Sequence, residues 1–180
     1  MASTVHLLVI DNRDSFVYNV VELLRSLPEL TFEVIPEGEL ELSSLPEHDG
    51  LILSPGPGVP SEFPRMQALI RAEAGVKPIL GICLGHQALA EHYGATLVQL
   101  PAPRHGHASA LVVADPADRL VGAIPTGSLV GRYHSWAVDD ASLPTCLVPT
   151  AYCADADEGR VLMAMRHRTE PVWSVQFHPE

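Results

Sequence analysis

KPILGICLGHQAL, residues 77–89, starts with the pattern of a buried strand and finishes with that of a helix. Pro78, Ile79, Leu80 and Ile82 form a continuous apolar run, as expected for a strand covered on both faces. From Leu84 onward the apolar residues recur at helical spacing until Gly94 ends the segment. Between the two lies Gly81-Ile82-Cys83-Leu84-Gly85, a thiol version of the G-x-S-x-G nucleophile elbow. The glycines allow a sharp turn and close approach of neighbouring strands, so Cys83 is expected to stand exposed at the carboxyl edge of a sheet. A helix N-terminus favours a thiolate there, and the N–H of Leu84 would point at an oxyanion formed by sulfur attack. The competing reading is a small buried cysteine between two packing glycines.

The same alternation runs outward from this stretch. VHLLVI (5–10), TFEVI (31–35) and GLILS (50–54) read as strands. A helix carrying Phe16, Val20, Leu23, Leu24 and Leu27, capped by Asp14 or Ser15 and closed by Pro28, follows the first. A second helix is expected from Ser61 to Ala74, with Ser61 as its cap. Strand–helix alternation of this kind predicts an α/β fold, a mostly parallel sheet with helices on both faces. The second half differs: ATLVQL, SALVVAD, GSLVGRYHSWAV, CLVPTAYC, RVLMAMRH and VWSVQF are short β-type runs that suggest antiparallel additions. With 180 residues, no repeat and no linker, one domain over 1–180 is expected.

Composition narrows the function classes. A formal net charge of −11 with eleven Lys and Arg argues against a nucleic-acid partner. Three cysteines, Cys83, Cys146 and Cys153, without CxxC spacing argue against a disulfide framework or zinc ribbon. The N-terminal apolar run is too short for a signal peptide, and no stretch approaches a membrane span. A cytoplasmic protein with reduced thiols is expected.

Two further stretches bear on Cys83. LILSPGPGVP (51–60) takes a buried strand into a rigid Pro-Gly loop, able to present backbone N–H groups to a ligand. Taken alone, such a loop is more often only a turn. VQFHPE (175–180) places His178 and Glu180 two residues apart, on one side of an extended segment delivered by the preceding strand. A thiol nucleophile needs a base, and the base needs an orienting acceptor; without Cys83 the same residues would read as a solvated end. His105 and His107, without nearby carboxylates, read as a solvated or partner-facing loop rather than metal ligands. No metal site is expected. Tyr18, Tyr133 and Trp173 read as core or rim aromatics.

Together these residues resemble the class I, triad-type glutamine amidotransferases, and within them the glutaminase subunits of anthranilate synthase and aminodeoxychorismate synthase. The resemblance rests on VIDNRDSFVYN (9–19), LSPGPGVP (53–60), LGICLGHQALAEHYG (80–94), GRYHSWAVD (131–139), MRHR (165–168) and VQFHPE (175–180). It implies a flavodoxin-like core and a catalytic triad of Cys83, His178 and Glu180. It also implies that Gly56, Pro57 and Gly58 bind glutamine and complete the oxyanion hole with Leu84. Gln87, Ser135 and Trp136 match positions that hold the glutamate portion of the substrate. The implied substrate is L-glutamine, no cofactor is implied, and the implied partner is a chorismate-binding synthase subunit that receives the ammonia.

Three departures from the family pattern stand out. Trp136 replaces a frequent Leu, and His105-Gly106-His107 stands where a His-Gly-Lys segment is usual. Relatives continue past HPE into a final helix, whereas the sequence stops at Glu180, so uncovered apolar surface is expected unless another element fills the space. Two other readings compete: a catalytically silent docking subunit of the same synthase, and a stand-alone hydrolase of γ-glutamyl compounds, which the DNRDSFVYN segment disfavours.

Overall fold

A computed structural model of the chain describes residues 4–155 and 159–180. Strand β1 (Val5–Asp11) leads into α1 (Val17–Arg25), followed by β2 (Leu30–Pro36), β3 (Gly50–Leu53), α2 (Pro64–Glu73), β4 (Ile79–Ile82) and α3 (Leu84–His92). Five strands complete the chain: β5 (Leu97–Val113), β6 (Leu129–Val138), β7 (Leu147–Asp155), β8 (Gly159–His167) and β9 (Val172–Val175). They form one sheet in the order β2-β1-β3-β4-β9-β8-β7-β5-β6. From β2 through β9 the pairings are parallel, and from β9 through β6 they are antiparallel. The parallel part has the flavodoxin-like order, with β9 in the place of the fifth strand.

Successive side chains of a strand face opposite sides, and the core divides accordingly. Leu8, Ile10, Leu51 and Leu53 pack with Met66, Leu69 and Ile70 of α2 and Leu84, Ala88 and Leu89 of α3. Val9 and Ile52 join Val17, Val20 and Leu24 of α1 on the other face. Helices therefore cover both faces of the parallel strands, which is why those strands read as unbroken apolar runs. A groove of about 520 Å³ is lined in part by Leu7, Ile52, Leu80, Leu120, Pro171 and Trp173.

Several local expectations change. Neither Asp14 nor Ser15 caps α1; Phe16 occupies that position, and Asp14 Oδ1 instead accepts the Phe16 N–H at 2.8 Å, one step earlier. Ser61 lies in a separate 3-10 turn, Pro60–Glu62, while α2 starts at Pro64. Proline suits a first helical position because its missing N–H would have had no partner there. Leu97–Leu100 of ATLVQL and Ser109–Val113 of SALVVAD belong to the single strand β5, whose pairing with β6 shifts register on either side of Arg104-His105. VWSVQF leaves the sheet early, since β9 ends at Val175. Of the aromatics read as core or rim, Tyr18 lies outside the core, 71% exposed. No helix among the described residues is long and apolar enough to cross a membrane.

Candidate active site

The carboxyl ends of β1, β3, β4 and β9 gather the residues singled out in the sequence. At the end of β1, Asn12 is fully buried; its backbone N–H donates to Ser54 Oγ at 3.0 Å and its Nδ2 to the Ser54 carbonyl at 2.8 Å. These bonds fasten the turn after β1 to the Pro-Gly loop after β3. A Cβ on Gly56 would lie 2.3 Å from Leu84 Cδ2 and 2.8 Å from Asn12 Cβ, so only glycine lets the loop seat there. Glu62 Oε2 accepts the Val59 N–H at 2.9 Å and holds the far side of the loop.

Cys83 joins β4 to α3 with φ 52° and ψ −100°. A non-glycine residue in this region carries strain of about 1–3 kcal/mol, typical of a nucleophile elbow. The flanking glycines are required by close approach: a Cβ on Gly85 would meet Leu53 O at 2.5 Å, and one on Gly81 the Gly85 carbonyl at 2.7 Å. Cys83 N–H donates to Val175 O at 2.8 Å, placing the elbow against the end of β9.

Two expectations for Cys83 are overturned. The residue is 4% exposed rather than standing free, and its thiol is pushed up to about 12, not down. Burial is the largest cause, and the charge of Asp14 adds to it, with a smaller contribution from Glu180. The Leu84 N–H at the start of α3 and the Gln176 side chain act in the opposite direction and are outweighed. The helix terminus does favour the anion, but desolvation of a buried sulfur is the greater effect.

Beyond β9 the chain is held by a bridge in which His178 N–H donates to Gly131 O at 3.0 Å. His178 Nδ1 lies 2.8 Å from Glu180 Oε1, and both side chains are buried, at 4% and 0% exposure. Phe16 and Tyr133 flank the imidazole, with ring centroids 4.7 and 5.1 Å away. A carboxylate can only accept, so Nδ1 carries the hydrogen and, in the neutral ring, Nε2 is the accepting atom; among the described residues Nε2 has no hydrogen-bond partner.

A pocket of about 280 Å³ is lined by Gly56, Pro57, Gly58, Cys83, Gln87, His105, Tyr133, His134, Ser135 and Trp136. All the substrate-contact residues expected from the sequence lie here except Leu84, whose apolar side chain is buried in the core. The lining also admits His105, read as a solvated or partner-facing loop residue, and Tyr133. His86 is withdrawn, fully buried with Nδ1 2.8 Å from Ser174 Oγ and its ring held neutral by burial, down to about 3. No group of three or more His, Cys, Asp or Glu among the described residues is placed to hold a metal ion.

The Trp136 carbonyl organises one wall of the pocket. Trp136 O accepts from Gln87 Nε2 at 2.9 Å and from His134 Nδ1 at 2.8 Å. His134 is neutral, lowered to about 4 chiefly by burial, and its Nε2 accepts from Arg132 Nε at 3.1 Å.

The model of the family described as glutamine amidotransferase class-I matches residues 8–180. The chain belongs to the class I glutamine amidotransferase family. It is 38% identical over 176 residues to the Azospirillum brasilense protein named anthranilate synthase component 2, covering 97% of this chain and 87% of that one. It is 40% identical over 186 residues to aminodeoxychorismate synthase component 2 of Serratia marcescens, covering 97% and 91%. Among solved structures, a Thermoplasma acidophilum protein provisionally assigned to GMP synthase superposes with a TM-score of 0.83 at 26% identity, covering 99% of this chain and 86% of that one. As a class I glutamine amidotransferase the chain is an enzyme; the Cys83 thiol lines the pocket, whereas His178 and Glu180 lie outside its lining.

Proposed function

We propose that this glutamine amidotransferase hydrolyses L-glutamine through Cys83, His178 and Glu180 and delivers the ammonia to a chorismate-aminating synthase subunit. The observation that carries the reading is that a strained elbow thiol and a buried imidazole–carboxylate pair leave the same sheet edge, the Cys83 N–H donating to Val175 O three residues before His178.

Each group takes a step that its surroundings favour. The buried thiol is protonated when the pocket is empty, so a base must take its proton as sulfur attacks the glutamine side-chain carbonyl carbon. His178 Nε2 is the accepting atom, and Glu180 stabilises the imidazolium so formed. The carbonyl oxygen gains negative charge and is held by N–H groups of Leu84 and the Gly56–Gly58 loop. His178 then gives its proton to the departing nitrogen, ammonia leaves, and a γ-glutamyl thioester remains on Cys83. Water, activated by the same imidazole, attacks the thioester, releases glutamate and restores the thiol. Gln87 spends both amide hydrogens on Trp136 O and Gln176 Oε1, so its own oxygen is the atom left to accept from the substrate α-ammonium. Ser135 and Trp136 form the neighbouring wall, and no cofactor takes part in any step.

The chorismate branch rests on relatives named as component 2 of anthranilate and aminodeoxychorismate synthases and on the VIDNRDSFVYN and GRYHSWAVD segments. Ammonia is useful as a nucleophile only before bulk solvent protonates it, which favours delivery within a complex. The test is glutamate release from glutamine by the wild type and Cys83→Ala, with and without the synthase subunit. Partner-stimulated release lost in the variant supports the proposal. Complex formation without release supports a silent docking subunit, and partner-independent release from other γ-glutamyl compounds supports a stand-alone hydrolase.

A further inference from the structure

Gln176 lies between the end of β9 and His178, with no solvent exposure, and the steps above use only its oxygen, which accepts from Gln87. Its Nε2 is 3.6 Å from Cys83 Sγ, within reach of a sulfur hydrogen bond, and its Oε1 is 3.1 Å from Gln87 Nε2. A buried amide could present either end to the sulfur, but its neighbours decide. Trp136 O can only accept, so Gln87 must turn its NH2 group towards it. The second hydrogen of that NH2 then meets Gln176, which must answer with its oxygen. The NH2 of Gln176 is thereby left facing the sulfur. The same carbonyl fixes His134 as the Nδ1–H form, whose Nε2 accepts from the fully buried Arg132. Donor direction is thus set along the whole wall, from Arg132 to the nucleophile.

We propose that Gln176 is a positioning residue for glutamine hydrolysis, donating an N–H to Cys83 sulfur and linking it through Gln87 to the substrate seat. The inference rests on Cys83 being the nucleophile. One bond orients the sulfur and stabilises it as it gains charge. The other makes the placement of that donor depend on Gln87, the residue placed to contact the substrate. Gln176 lowers the Cys83 thiol against burial, in the same sense as the Leu84 N–H. The charges bearing on this thiol are Asp14, from the turn after β1, and Glu180, both raising it. The variants below leave both in place.

The test compares wild type, Gln176→Met and Gln176→Glu. Methionine keeps the volume and removes both hydrogen bonds. Glutamate keeps an acceptor for Gln87, but removes the donor and sets a carboxylate against the sulfur. Iodoacetamide labelling of Cys83, followed by mass spectrometry of its peptide so that Cys146 and Cys153 do not interfere, gives the pH profile of the thiol. Glutamine turnover is measured alone and with the synthase subunit. Loss of one neutral donor should slow labelling at pH 8 about three- to tenfold in Gln176→Met, with the profile displaced to higher pH. Gln176→Glu should be displaced further, although it preserves the contact with Gln87. Turnover should fall in kcat in the same order. A wild-type labelling profile in both variants would overturn the proposal, as would a Glu variant that behaves like wild type while only the Met variant loses activity and thermal stability. If Cys83→Ser retains full turnover, the nucleophile assignment has failed instead, whatever Gln176 does.

Discussion

The backbone N–H of Cys83 donates to the carbonyl of Val175 at 2.8 Å, three residues before His178. That bond continues the parallel β4–β9 register, which pairs Ile82 with Val175, by one step beyond the sheet. The elbow and the segment bearing the imidazole therefore leave the same edge side by side, and their separation follows from strand pairing rather than from a flexible loop.

Glu180→Gln tests the orienting carboxylate. An amide can present its NH2 group to His178 Nδ1, which favours the tautomer with hydrogen on Nε2 and removes the accepting atom from the thiol side. The expected result is a fall in kcat of roughly 10²- to 10⁴-fold with a smaller effect on KM, measured by steady-state glutamate release.

Asp14→Asn tests the charge environment of the sulfur. The Asp14 carboxylate raises the Cys83 thiol, so its removal lowers the thiol and increases the thiolate fraction at a fixed pH. An asparagine oxygen can still accept the Phe16 N–H. Iodoacetamide labelling of Cys83 at pH 8 should be faster than in the wild type, with the pH profile moved towards neutrality.

Acid should weaken the fold through its buried histidines. His86 is lowered to about 3 and His134 to about 4, from an ordinary value of 6.5, in both cases mainly by burial. As pH falls below 6.5 the unfolded chain takes up these protons first. The stability contributed is therefore complete above 6.5 and is lost towards 4 and then 3, at about 1.4 kcal/mol per group per pH unit. Urea midpoints between pH 8 and pH 4 should show this decline, and His86→Gln should have a shallower acid limb.

The elbow glycines predict a stability contrast. In Gly85→Ala the new methyl would meet Leu53 O at 2.5 Å, against backbone that β3 holds in place. A loss of about 1–3 kcal/mol or more is expected from such overpacking. Gly38→Ala, with nothing within 4 Å of the added atom, should change stability by less than about 0.5 kcal/mol. Thermal unfolding of the two variants provides the comparison.

Much of this site is legible in the sequence because the parallel half writes its geometry locally. A strand buried on both faces must be apolar throughout, and a Cys between close-packed glycines at its end signals an elbow. Of the pocket lining, Gly56 to Gly58 lie on a recognisable Pro-Gly loop, whereas Gln87 on α3 and Ser135 and Trp136 on β6 are expected only through the family resemblance. The sign of the Cys83 shift is not legible, because a helix terminus is a local feature while burial depends on the loop after β3, Gln176 and the chain beyond β9 closing around the sulfur. Gln176 escapes notice for a related reason: a glutamine beside Phe177 reads as an ordinary strand residue until Gln87 and Trp136 O fix which way its amide points. His105 is exposed, as its solvated or partner-facing reading expects, but it lies on β5 rather than in a loop, paired with Tyr133 at the pocket, which nothing in its own segment shows.

The central claim is that Cys83 carries the substrate covalently, and trapping the intermediate tests it most directly. Protein, with the synthase subunit present, is mixed with glutamine labelled in its carbon skeleton, quenched in acid during turnover and digested for mass spectrometry. The account predicts one γ-glutamyl group on the Cys83 peptide, labile to hydroxylamine and lost in Cys83→Ser together with turnover. Sustained glutamate release in Cys83→Ser, or steady turnover with the label on a different residue, would contradict it.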